Sequence, residues 1–88
     1  MDSLAKAATA LGFDAAKARE MVQQTCLGAA QMAKESDLSL EDLRKQVTSK
    51  GGSTAKGVEA YQESDLHGIS DKAVKAAVNR NQEMAKLF

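Results

Sequence analysis

The stretch Asp14-Ala15-Ala16-Lys17-Ala18-Arg19-Glu20-Met21-Val22-Gln23-Gln24-Thr25-Cys26-Leu27-Gly28-Ala29-Ala30-Gln31-Met32-Ala33-Lys34-Glu35 decides the fold class. Turning about 100° per residue places Met21, Val22, Thr25, Cys26, Gly28, Ala29, Met32 and Ala33 within one half of a circle. Arg19, Glu20, Gln23, Gln24, Gln31, Lys34 and Glu35 fall mostly on the other half. This predicts a long amphipathic helix to about Glu35, with Asp14 capping its first turn. The apolar arc is wider than a coiled-coil seam, so the helix is expected to meet more than one neighbour. Gly28, Ala29 and Ala33 let a partner helix approach closely. Leu27 sits among polar residues; it is either a lone exposed leucine, which is common, or the mark of a second covered face. Cys26 lies on the arc as a small hydrophobe, with no His near it in sequence to activate a thiol.

The flanks carry the same period. Leu4, Ala7, Ala8 and Leu11 recur at helical spacing over residues 2–11, with Asp2 or Ser3 as cap and Gly12 in the left-handed position after the helix end. After the break at Ser36-Asp37, Ser39 is the expected cap of a short helix ending near Thr48. Asp42 stands at its third position, and Leu38 and Leu43 are spaced to staple its start. Thr54, Val58 and Tyr61 continue a helix to about Ser64, in which Gly57 costs about 1 kcal/mol against alanine. Asp65-Leu66-His67-Gly68 reads as a turn or as the loose start of a final helix from about Ile69 to Leu87. Arg80 falls in that helix's apolar arc. It either snorkels to water or makes a structural bond to a helix end or across an interface. The fold expected is all-α, a small bundle of about five helices.

Composition narrows the function. The chain has 88 residues, no Pro or Trp and one Cys. Lys and Arg total 12, Asp and Glu total 12, and the formal charge is zero. A balanced, dispersed charge argues against a nucleic-acid partner, which calls for a basic face. No apolar run approaches the roughly 18 residues of a membrane span. A single Cys fits a reducing, cytoplasmic setting, and one His with one Cys at no ligand-like spacing argues against a metal site. Sixteen alanines inflate the hydrophobic fraction. So small a core is marginal alone, and an oligomer or a fragment of a larger protein is expected.

One segment looks built for chemistry. In Val47-Thr48-Ser49-Lys50-Gly51-Gly52-Ser53-Thr54-Ala55-Lys56-Gly57, two glycines lie between two hydroxyl pairs. Glycine permits positive φ and close approach of a ligand to the main chain. With Ser53 as N-cap, the helix start behind it offers unpaired N–H groups and partial positive charge to a carboxylate or phosphate. The plainer reading is a Gly-Gly connection between two helices with a capping serine.

These residues resemble the C-terminal domain of the pyrroline-5-carboxylate reductase family. Gln24-Thr25-Cys26-Leu27-Gly28-Ala29-Ala30 is similar to its Q-T-x-x-G-A block. Leu43-Arg44 with Val47-Thr48-Ser49-Lys50-Gly51-Gly52-Ser53-Thr54 is similar to L-R…V-T-S-P-G-G-T-T. Ala73, Ala76-Ala77, Arg80 and Glu83 look like its closing A-x-x-A-A-x-x-R-x-x-E pattern. The glycine-loop block is the specific one. Lys50 stands where the family pattern has proline, and Ser53 replaces the first threonine.

The resemblance implies an intertwined dimer like the C-terminal domain of 6-phosphogluconate dehydrogenase, with residues 1–88 as one helical dimerisation and substrate-binding domain. It implies a complete enzyme that reduces 1-pyrroline-5-carboxylate to L-proline with NADP or NAD as cofactor. That cofactor belongs to an N-terminal Rossmann domain, which this sequence does not contain, so the piece is expected to bind no cofactor and to be inactive alone. Carried over by position, Ser49, Gly51, Gly52 and Ser53 would hold the substrate carboxylate, and Thr54 would be both a substrate contact and the catalytic hydroxyl near the ring nitrogen. The alternative is a free-standing helical dimerisation or adaptor module, in which the glycine loop is only a connector.

Overall fold

The computed structural model describes residues 1–87. Five helices follow one another and no strand occurs among the described residues: α1 Asp2–Ala10, α2 Ala15–Glu35, α3 Leu40–Gln46, α4 Ser53–Glu63 and α5 Leu66–Leu87. This is the all-α bundle that the periodicity predicts. The chain divides into two compact units, one of residues 1–44 and one beginning at Lys45.

In the first unit α1 packs on α2. Ala18 and Val22 of α2 are buried, Ala5, Ala8, Cys26 and Ala33 are half-buried, and Leu43 of α3 is buried. Much of this contact is alanine, which permits close approach but buries little apolar area per residue. The corner between α1 and α2 is set by hydrogen bonds. The Gly12 N–H donates to the Thr9 carbonyl at 3.0 Å and the Phe13 N–H to the Ala8 carbonyl at 3.3 Å, with Gly12 at φ 112°. That pair of bonds is the Schellman termination, which needs a residue tolerant of positive φ. Two residues on, Asp14 is extended and its carboxylate accepts the Lys17 N–H at 3.0 Å, the expected cap.

The cap expected for α1 is not there. The helix already includes Asp2, and Met1 precedes it without a side-chain bond. The Asp2 carboxylate lies along the helix instead and pairs with Lys6 at 3.1 Å, one turn on. Ser39 does cap α3, its hydroxyl accepting the Asp42 N–H at 3.0 Å.

In the second unit α4 packs on α5, yet neither helix has a buried residue. Ser64 and Asp65 join them. Asp65 is left-handed at φ 55°; its N–H donates to the Gln62 carbonyl at 3.1 Å and its carboxylate accepts the Gly68 N–H at 3.2 Å. One residue thus closes α4 and caps α5. A Cβ at position 68 would run into that carboxylate, so glycine here serves the cap. The consequence is a start for α5 at Leu66 rather than near Ile69. Arg80, expected in an apolar arc, pairs with Glu83 at 3.1 Å with both side chains exposed, which is the water-facing outcome.

The second unit leaves a large apolar surface bare. Ile69 is 56% exposed, Val74 63% and Val78 48%, although they share a helix of 22 residues. Short helices gain most of their stability from burying an apolar face, so α5 lacks within its own unit the cover that its sequence is patterned for.

Candidate functional site

The loop ahead of α4 is a tight turn. The Gly52 N–H donates to the Ser49 carbonyl at 3.0 Å, closing the four residues Ser49 to Gly52. Gly51, third in the turn, has φ 76°. Positive φ at the third position is the mark of a type II turn, whose second position favours proline. Lys50 occupies that second position.

α4 begins at Ser53, and its N-cap is Gly52, extended at φ −81° and ψ 171° with no side-chain cap bond. This corrects the expectation that Ser53 is the cap. Gly and Ser are both acceptable there, and the turn bond decides between them, because it holds Gly52 extended and makes Ser53 the first helical residue. The first intrahelical bond runs from the Lys56 N–H to the Gly52 carbonyl at 3.3 Å. By helix geometry the N–H groups of Ser53, Thr54 and Ala55 have no acceptor within α4. The turn has already used that of Gly52. Three donors and the positive end of the helix dipole are therefore gathered at one exposed point.

The surrounding groups suit that point. Ser49, Gly51, Ser53 and Thr54 are exposed and Gly52 is half-buried. A Cβ on Gly52 would lie 2.5 Å from the Ser49 hydroxyl oxygen and 3.3 Å from its carbonyl oxygen. The absence of a side chain at Gly52 is what leaves room for the Ser49 hydroxyl beside it. All five residues singled out in the sequence thus belong to one turn and the first helical turn after it. Neutral hydroxyls and backbone N–H groups can donate to an anion without carrying charge themselves. Lys56, one turn along, is engaged with Glu59 at 3.4 Å.

Elsewhere the structure offers less. Cys26 is half-buried and unbridged, and His67 is exposed. Among the described residues no three His, Cys, Asp or Glu side chains are grouped as metal ligands, and no helix is long and apolar enough to cross a membrane. Sequence reasoning missed Asp65 as a cap, although Asp three residues ahead of a glycine was a legible signal.

The family model described as pyrroline-5-carboxylate reductase dimerisation matches residues 1–84. The chain belongs to that family. It is 46% identical over 89 aligned positions to the pyrroline-5-carboxylate reductase of Vibrio alginolyticus, covering all of this chain and 33% of that relative. It is 42% identical to that of Pasteurella multocida strain Pm70, covering all of this chain and 32% of the relative. The reductase of Staphylococcus saprophyticus is 38% identical over 79 positions, with 90% of this chain and 29% of the relative covered. The chain thus spans about a third of the length of the curated relatives it matches and corresponds to their dimerisation domain. Association with further copies, for which the family is described, gives a physical reason for an α5 whose aliphatic residues find no cover inside their own unit.

Proposed function

We propose that this chain serves as the C-terminal dimerisation and substrate-binding domain of a reductase that converts 1-pyrroline-5-carboxylate to L-proline. Residues 1–88 act as one domain in a cytoplasmic homodimer. The observation that carries the reading is the open start of α4. The substrate is a small anion, and its carboxylate accepts from the N–H groups of Ser53 and Thr54 and from the hydroxyls of Ser49 and Ser53. Gly51 and Gly52 keep side chains out of that approach. Holding the acid group fixes where the ring lies, which is the proximity term in catalysis.

Thr54 carries the chemistry assigned to this chain. When the C=N bond is reduced, its π electron pair moves onto nitrogen, which then takes up a proton. The Thr54 hydroxyl delivers or relays that proton, a role with a typical value of about 10²-fold or more in rate. The hydride donor would be a reduced nicotinamide cofactor, NADPH or NADH, and the residues present do not fit it. A dinucleotide pyrophosphate sits on a strand, glycine loop and helix unit, and the described residues include no strand. We therefore assign its binding to the part of the relatives that lies outside the match.

The test is a chimaera in which residues 1–88 replace the matching third of the Vibrio alginolyticus reductase. The chimaera is expected to reduce pyrroline-5-carboxylate, and Thr54→Ala to lower its turnover about 100-fold while its mass by light scattering stays that of the parent. An inactive but well-folded chimaera, or a variant that loses turnover and assembly together, overturns the assignment.

A further inference from the structure

We draw no further inference here: the strongest candidate, the apolar groove between α4 and α5 lined by Gly57, Ala60, Tyr61, Leu66 and Ile69, is an unpartnered apolar face, and nothing in the structure shows what covers it.

Discussion

Two helix starts in this chain follow a glycine with positive φ and end differently. At α2, Gly12 turns the chain and Asp14 closes the start, its carboxylate on the Lys17 N–H. At α4, Gly51 turns the chain and Gly52 leaves the start open. The first arrangement spends one of its three donors on the protein's own side chain. The second keeps three of them for something else. The difference costs little in stability, because glycine at an N-cap gives up only a few tenths of a kcal/mol against serine or aspartate. An open helix start is therefore a cheap way to hold an anion, provided that no neighbouring side chain closes it.

The sharpest way to break the contrast is to close the open start. Ser53→Asp puts a carboxylate in the first turn of α4. Favourable interaction with the helix dipole should stabilise the fold by about 0.3–1 kcal/mol, while the fixed negative charge repels the substrate's acid group. In the chimaera, KM for pyrroline-5-carboxylate should rise at least about tenfold, equivalent to roughly 1.4 kcal/mol, as the melting temperature rises. An unchanged KM would mean that the anion does not bind at this helix start. Next in size is Gly51→Ala. Nothing lies within 4 Å of the added Cβ, so the effect isolates the backbone: holding an L-residue at φ 76° costs about 1–2 kcal/mol. Denaturant melts at fixed protein concentration measure it, since association makes stability depend on concentration. A silent substitution would show that the turn relaxes to negative φ at no cost.

These two starts also show what a sequence can and cannot reveal. Gly12, Asp14 and Ser39 are legible because each acts on groups within three residues of itself, where spacing alone fixes the partner. The same locality made the Ser49 to Thr54 cluster visible as a unit. The register at Gly52-Ser53 was not legible. Two adjacent residues with similar capping preference leave the choice to the turn bond from Gly52 to Ser49, and that bond depends on a conformation rather than a residue type. Asp65-Leu66-His67-Gly68 reads equally as a turn or as the loose start of the last helix; the Asp65 carboxylate on the Gly68 N–H makes Leu66 the first residue of α5. The arcs of α2 and α5 were readable as apolar, but periodicity gives only the direction of a face and not what covers it. Val22 turned out buried while Val74 and Val78 remain exposed.

Asp14→Ala tests the closed member of the pair. It should cost about 1 kcal/mol, the usual loss for a carboxylate cap, and leave KM and turnover of the chimaera unchanged. A change in KM without a change in stability would reverse the roles given to the two starts.

The smallest effect concerns Lys50. Its place is the second position of the Ser49 to Gly52 turn, where φ near −60° is required and proline is pre-set for it. Lys50→Pro removes freedom from the unfolded chain rather than adding a contact to the folded one, so about 0.4–1 kcal/mol of stabilisation is expected. For a domain of this size that is a rise of roughly 2–8 °C in melting temperature. The same variant removes an ammonium group beside the open start of α4. If KM holds while the melting temperature rises, the anion is gripped by main-chain and hydroxyl donors alone, and the lysine is a tolerated departure from a better turn residue. A fall in melting temperature would instead show that the Lys50 N–H or its φ departs from what the closed turn requires, and the turn geometry on which the open start depends would have to be revised.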